Sequence, residues 1–263
     1  MRINGSVIGS VVTSSASSAI GIWGLQNVEI GNRLNSWPTT VTIVSTGLVL
    51  NLDASTYPGS GTTWTDSSNT GNGTLTNGPS YSSTYGGKFS FDAVDDYVAI
   101  SSRNLSNNFS TEVWCLPNAT HGIDSESTSG TAGVSGQRFL ISPDNAGGDG
   151  GAGISVGTNG ISVYEHGSSY IPALLVYETT ISSPVHFVVV YTSKQPSLYL
   201  NGSLVRTGLT SAKGTVYNIS TQIGSYVYGN YSGDVYQVRF YNKSLTSDEV
   251  SQNFSATRAR FGV

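Results

Sequence analysis

The acidic residues are too scattered to supply the paired carboxylates that retaining cleavage of a glycosidic bond requires. That reaction uses two carboxyl groups about 5–5.5 Å apart. A β-strand supplies the spacing when acids alternate as E-x-D-x-E, because alternate side chains point to one face. The nearest pattern, Asp124-Ser125-Glu126, lies in a Ser/Gly/Thr-rich loop and has no third acid. The sequence therefore argues against a sugar-cleaving enzyme, and we expect no catalytic residues.

The three histidines form no recognisable catalytic or zinc motif. His121 and His166 lie in predicted loops without a second ligand at zinc spacing. No G-x-S-x-G pattern precedes a predicted helix, so a serine hydrolase is not indicated. His186 begins the apolar run HFVVVY and is expected to pack against a face of the β-structure.

Calcium is the one cofactor that the sequence leaves open, because hard cations bind clustered oxygen ligands. Asp144, Asn145 and Asp149 lie in the Gly-rich loop PDNAGGDGGAG, which could fold around an ion. A second cluster, Asp92, Asp95 and Asp96, lies in a predicted turn. Aspartate also stabilises turns through hydrogen bonds to its own backbone, so turn formation is the alternative explanation.

Sugar recognition would require aromatic rings and planar polar groups in loops, and two places in the sequence offer them. The segment before the last predicted strand contains Tyr226, Tyr228, Asn230 and Tyr231. Trp64, next to Asp66 in a long earlier loop, is the second candidate. Loop aromatics favour binding, although tyrosine is also common on the exposed faces of β-proteins.

The elements that must position these residues are short strands. Apolar and polar residues alternate in short runs between residues 47 and 245, which is typical of strands with one buried face. The clearest runs are 88–92, 97–100, 111–116, 186–191 and 234–241. Asn201-Gly202 joins two further runs and favours a type I′ hairpin turn. The pattern predicts an all-β fold, an antiparallel sandwich or jelly roll.

One short helix is predicted after the last strand. Thr246-Ser247-Asp248-Glu249 is a capping box, in which the Thr246 and Glu249 side chains bond to each other's backbone amides. Val250, Phe254 and Thr257 follow at helical spacing. We expect a helix near residues 247–257 that packs against the sandwich.

The composition excludes several classes of function. Only 28 of the 263 residues are charged, and the net charge is −4, so a basic nucleic-acid-binding face is not expected. No apolar run reaches the length of a membrane span. The single cysteine, Cys115, allows no internal disulfide. The apolar run near the N-terminus is broken by Gly9 and Ser10, which argues against a secretory signal.

The sequence divides into an attachment segment, residues 1–46, and a domain, residues 47–263. The segment is rich in Ser, Thr and Gly around one apolar island, and about 40 residues bury too little area for a core of their own. An exposed apolar island usually marks a partner surface. The candidate anchor residues are Ile22, Trp23, Leu25 and Trp37. The alternative is that this segment covers an edge of its own sandwich.

Four passages, in order, resemble the laminin-G-like, concanavalin A-like jelly-roll family. These are residues 47–81, 89–100 (FSFDAVDDYVAI), 186–205 (HFVVVYTSKQPSLYLNGSLV) and 233–250 (GDVYQVRFYNKSLTSDEV). The sequence departs from the family pattern at Ala93, where the family has glycine. The resemblance implies a lectin-like sandwich.

The passages TYPGSGTTWTD and NGTLTNGP are similar to domains of bacteriophage virion proteins. This second resemblance implies a non-enzymatic structural protein of the phage particle, in the head or the tail. It further implies attachment to other virion proteins through residues 1–46, several copies in one assembly, and binding to host surface glycans. The alternatives are a secreted bacterial adhesin, with residues 1–19 as an atypical signal, and a glycan-degrading enzyme of the same fold.

Overall fold

The computed structural model describes residues 41–263, and these form two β-sheets and one α-helix. The first sheet has eight strands, in the order β15-β14-β13-β8-β18-β5-β4, with β1 also paired to β18. Its strands are β1 (Leu48–Asp53), β4 (Ser80–Ser82), β5 (Lys88–Asp92), β8 (Phe109–Pro117), β13 (Val185–Thr192), β14 (Gln195–Leu200), β15 (Ser203–Thr207) and β18 (Ser232–Tyr241).

The second sheet has ten strands, in the order β12-β11-β10-β9-β17-β6-β3-β2, with β16 joining β10 to β7. Its strands are β2 (Thr63–Trp64), β3 (Gly73–Thr76), β6 (Tyr97–Ala99), β7 (Leu105–Ser106), β9 (Phe139–Ile141), β10 (Gly150–Gly157), β11 (Gly160–His166), β12 (Ala173–Glu178), β16 (Val216–Asn218) and β17 (Gln222–Ile223). Among these strands, only the β10–β16 pair is parallel. The predicted antiparallel sandwich is confirmed.

The core lies between the two sheets and follows from the alternation of each strand. In β8, Val113 and Cys115 point into the core, whereas Trp114 points to the outer face of the first sheet. The run HFVVVY forms β13, which lies between β14 and β8. It is apolar on both sides because Phe187 and Val189 face the core, while Val188 and Val190 lie in a second apolar cluster outside it.

The helix α1 (Ser247–Thr257) covers the outer face of the first sheet, as the capping box predicts. Glu249 N donates to Thr246 Oγ1 at 3.2 Å, and Thr246 N donates to Glu249 Oε2 at 2.9 Å. Val250 packs with Val188 and Val190. The Trp114 indole N–H donates to the Thr257 hydroxyl at 2.9 Å, so the helix is fixed by apolar and polar contacts together.

Two predicted turns are also present. Asn201 and Gly202 have φ values of 48° and 82°, the left-handed values that a type I′ hairpin requires. In the Asp92–Asp96 turn, Ala93 has a φ of 67°, a region that favours glycine. The positive φ at this position therefore explains why glycine is favoured there in the family pattern.

The sandwich begins slightly before the predicted boundary at Gly47. Ile43–Val263 forms one compact unit. Val44 is buried against α1 and donates its backbone N–H to Asn253 Oδ1 at 2.7 Å. The predicted anchor residues Ile22, Trp23, Leu25 and Trp37 lie outside the described residues. Between residues 41 and 263, no helix is long and apolar enough to span a membrane.

Candidate functional site

The predicted tyrosine segment forms a rigid turn between β17 and β18. Gly229 N donates to Tyr226 O at 2.9 Å and closes the turn. Gly229 has a φ of 146°, and a Cβ there would lie 1.8 Å from the Gln137 carbonyl oxygen, so only glycine fits. The Asn230 side chain accepts from the Ser225 hydroxyl at 2.7 Å and donates to Val94 O at 2.6 Å. Asn230 therefore holds the turn in place.

The turn places Tyr226 and Tyr228 beside His166 on the outer face of the second sheet. His166 and Tyr164 alternate along β11 with Val163, which points into the core. The rings of His166, Tyr226 and Tyr228 are arranged edge to face, with centroids 5.6–5.7 Å apart. Such contacts stabilise aromatic pairs beyond simple burial. We call these three side chains the tyrosine–histidine cluster.

The surroundings of His166 determine its charge and which ring nitrogen carries the proton. Burial lowers the pKa of His166, so the ring is neutral at pH 7. His166 Nδ1 lies 2.9 Å from Pro143 O, a pure acceptor, so Nδ1 carries the proton. Nε2 is then an acceptor, and the Asn145 amide nitrogen lies 3.4 Å from it. The Tyr226 hydroxyl oxygen lies 2.6 Å from Nδ1 and accepts a hydrogen bond from the same N–H group.

Tyr228 is the member of the cluster that is available to a ligand. Its ring is half-buried, and its hydroxyl has no hydrogen-bond partner among residues 41–263. Neighbouring Val227 is 77 % exposed, and Asn145 is exposed. An ordered aromatic ring with a free hydroxyl and an amide close by is suited to stacking and hydrogen bonding with a sugar ring.

Two of the predicted ligand-binding residues are in the core, and this part of the prediction is wrong. Trp64 and Tyr231 are both 0 % exposed. Trp64 packs against Phe89, with ring centroids 4.8 Å apart, and Tyr231 packs against Phe91 at 6.0 Å. Both rings point inward, so neither can stack on an external ligand.

The predicted calcium loop uses its acidic side chains to hold other loops. Asp144 accepts from Thr221 N at 2.9 Å, and Asp149 accepts from Thr215 N at 2.9 Å. Asn145 Oδ1 accepts from Gly147 N at 2.8 Å. Each of the three groups is thus committed to a different backbone amide, and the structure does not support a shared ion site in this loop.

Among the described residues, Asp92, Asp95 and Asp96 are the one set of three His, Cys, Asp or Glu side chains whose possible ligand atoms lie within 4.8 Å of one another. Burial, together with the charges of Asp92 and Asp95, raises the pKa of Asp96. The same side chains also form turn contacts: Asp92 Oδ1 accepts from Val94 N at 2.8 Å, and Asp96 Oδ2 accepts from Asp92 N at 3.1 Å. A calcium ion and simple turn formation both fit these residues.

The acids and histidine nearest to catalytic patterns have structural partners. Asp124 Oδ2 accepts from the Tyr164 hydroxyl at 2.7 Å, and Glu126 forms a two-pronged ion pair with Arg206. His186 is completely buried beneath α1, with Nε2 3.2 Å from Glu112 Oε1. The prediction that His186 packs on a face of the β-structure is confirmed, but neither of its ring nitrogens forms a hydrogen bond with the described residues.

Comparison with known proteins identifies the family. Residues 91–251 match the model of Laminin_G_3, the concanavalin A-like lectin/glucanases superfamily. The chain belongs to this family. This confirms the first sequence resemblance, and the superfamily's description covers both lectins and glucanases. No curated protein matches the chain.

Solved structures resemble this member of the superfamily in fold. Domain 4 of AbnA, an extracellular arabinanase of Geobacillus stearothermophilus, is 16 % identical, with a TM-score of 0.55 over 78 % of this chain and 97 % of that domain. The receptor-binding domain of botulinum neurotoxin type G is 14 % identical, with a TM-score of 0.54 over 80 % of this chain and 51 % of its own. The sialidase of Trypanosoma rangeli is 17 % identical, with a TM-score of 0.55 over 86 % of this chain and 35 % of its own. The chain thus spans about half of the toxin domain and about a third of the sialidase.

No local pattern in the sequence connects His166 with the tyrosines. The two segments are 60 residues apart, and their contact depends on how the β17–β18 turn lies across β11. The alternation of Tyr164 and His166 at the end of a strand could have placed His166 on the outer face. Its partner could not have been found in this way.

Proposed function

We propose that this chain is a glycan-binding module without catalytic activity, and that Tyr228 is at the centre of its binding surface. The observation that carries the proposal is the half-buried side chain of Tyr228, which is held by the tyrosine–histidine cluster and whose hydroxyl makes no hydrogen bond with residues 41–263. A ring that is already ordered loses little conformational entropy when it binds.

The lack of catalysis is supported by the surroundings of the carboxylates. Asp124 and Glu126 are hydrogen bonded to structural partners, and Glu112 and Glu165 are buried. Related folds support glycan binding. Domain 4 of the arabinanase was solved in complex with arabinotriose. Cell entry of botulinum neurotoxin type C depends on interaction with two ganglioside molecules.

Replacing Tyr228 with alanine should weaken glycan binding at least tenfold, because both the stacking ring and its hydroxyl are lost. The melting temperature should fall by less than about 3 °C, since the ring is half-exposed. Binding is measured on an array that includes arabino-oligosaccharides, gangliosides and bacterial envelope glycans. Tyr228→Phe separates the two contributions, since it keeps the ring and removes the hydroxyl.

Tyr217→Ala is the matched control, because Tyr217 is also half-buried but lies on β16, outside the turn. Equal binding by wild-type protein and Tyr228→Ala would contradict the proposed surface. Turnover of any bound polysaccharide, detected as new reducing ends, would contradict the absence of catalysis.

We further propose that the module is a structural component of a phage particle, to which residues 1–46 attach it. The support is the similarity of the passages within residues 56–79 to virion domains, together with the apolar island of Ile22, Trp23, Leu25 and Trp37. A weak, shallow glycan site would gain from many copies on one particle, because multivalency raises the effective affinity.

A fragment that begins at Ile43 should keep the melting temperature of the full chain but should not join phage particles. The fragment starts before Val44 because that residue packs under α1. Calorimetry measures the first property, and co-sedimentation of tagged protein with purified particles measures the second. Incorporation of the fragment at the level of the full chain would contradict the anchor. Aggregation of the fragment would show that the sandwich requires earlier residues.

A further inference from the structure

A cleft of about 450 Å³ opens at one end of the sandwich, where β8 ends and β18 begins. Its apolar surface comes from Leu116, Pro117 and Ile181. Hydroxyl and amide groups from Asn118, Thr158, Thr180 and Ser182 surround this surface. The volume is within the range of small-molecule sites.

Several polar groups of the cleft form no hydrogen bond with the part of the chain that the structure describes. The hydroxyls of Thr158, Thr180 and Ser182 have no hydrogen-bond partner between residues 41 and 263. Asn118 Oδ1 accepts from the Ser232 hydroxyl at 2.5 Å, which leaves the amide N–H groups of Asn118 free to donate. These groups can act as both donors and acceptors toward a ligand.

The charge of the cleft favours a neutral ligand. Among the described residues, Asp234 is the one charged residue of the lining, and Lys88 and Ser90 each bond to that carboxylate at 2.6 Å. Within residues 41–263 the lining therefore offers no unpaired cation that would attract a phosphate or a carboxylate. Free hydroxyls and amides around an apolar surface match the alternating O–H and C–H groups of a neutral sugar.

Arg138 connects the tyrosine turn with the segment that follows Asn118 of the cleft. Arg138 Nε donates to Thr120 O at 2.7 Å, next to the cleft wall. Its Nη1 donates to Asn230 O at 3.4 Å, in the turn that holds Tyr228. The turn and the cleft are therefore connected through hydrogen-bonded segments, by Arg138 and by the bond between Asn118 and Ser232.

We propose that this cleft is a second saccharide subsite, which a glycan of several units reaches while another unit lies on Tyr228. The inference rests on the proposed glycan-binding function and adds the preferred ligand, a neutral oligosaccharide rather than a single sugar. A second subsite on a linked ligand raises affinity because its binding is intramolecular.

The test compares glycan length with variants of the cleft. The probe is an array of neutral oligosaccharides of one to eight units, including an arabino-oligosaccharide series. For the glycan series that the wild-type protein binds, its affinity should rise at least tenfold with chain length. Thr158→Val/Thr180→Val keeps the shape but removes two hydroxyls, and it should lose about tenfold in affinity for long chains only. Ser182→Trp, at an exposed position, should block the cleft with the same result.

Thr62→Val is the control, because Thr62 is exposed and lies outside the cleft. Circular dichroism and melting temperatures verify that all variants are folded. If both cleft variants bind long chains as wild type does while Tyr228→Ala does not, the second subsite is overturned and the proposed function stands. If wild-type protein binds no glycan on the array, both are overturned.

Discussion

Replacing Arg239 with methionine should lower the free energy of unfolding by about 3–5 kcal/mol, the usual cost of removing one partner from a buried ion pair. Glu112 and Arg239 are 1 % and 3 % exposed, and Arg239 Nη1 lies 2.7 Å from Glu112 Oε1. Burial by itself would raise the pKa of Glu112, but Arg239 and His186 outweigh burial and lower it to about 2. Without the guanidinium, the buried carboxylate beneath α1 would lose its main counter-charge, and its contacts with Asn253 and His186 would not replace it.

Urea unfolding at pH 7 measures this loss, and Arg206→Met is the matched control. Arg206 also pairs with a glutamate, Glu126, but its side chain is 46 % exposed, so its removal should cost much less than the removal of Arg239. In wild-type protein the stabilisation from the depressed pKa of Glu112 is present above about pH 4.5 and is lost as the pH falls toward 2. The two variants should therefore differ most at neutral pH. Equal losses of unfolding free energy in the two variants would contradict the prediction that the buried pair contributes more.

Replacing Glu165 with glutamine should stabilise the protein at pH 8 by up to about 3 kcal/mol and have little effect at pH 5. Glu165 is completely buried between the sheets, and burial raises the pKa of its carboxyl from 4.5 to about 7. The folded state therefore holds a proton that the unfolded state has lost between these values. Each pKa unit corresponds to about 1.4 kcal/mol, so stability falls as the pH rises through this window.

The surroundings of Glu165 can accept the neutral amide. Tyr191 and Tyr170 donate to its two oxygens at 3.2 and 3.3 Å, and Ser211 also donates to it. These hydroxyls can turn to accept a hydrogen bond from glutamine. Glu178→Gln, at an exposed position on β12, is the control. The urea midpoints of wild-type protein and both variants at pH 5, 6.5 and 8 measure the change in stability. A Glu165→Gln variant less stable than wild type at pH 8 would contradict the prediction.

The features that could be predicted from sequence depend on neighbouring residues. The capping box at Thr246 and the turn at Asn201-Gly202 need only a few consecutive residues, and both are confirmed. The run HFVVVY predicted a strand, and it is apolar throughout because that strand is covered on both faces. Fold class follows from such local patterns once they are repeated along the chain.

The features that could not be predicted depend on contacts between distant segments. Whether Trp64 or Tyr231 points inward is decided by strand pairing, and local spacing at the end of a strand does not reveal it. The cleft joins residues near positions 117, 158, 181 and 233, which only the completed sandwich brings together. In the same way, Val44 belongs to the domain because Asn253, near the other end of the chain, binds its backbone.

The position of β18 has a consequence for synthesis on the ribosome. This strand is made after every other strand of the first sheet but lies inside it, where it separates β8 from β1 and β5. Until it emerges, those earlier strands have open hydrogen-bonding edges and uncovered apolar faces, which are the features that promote aggregation of nascent chains. The first sheet therefore closes only after β18 has emerged from the ribosome.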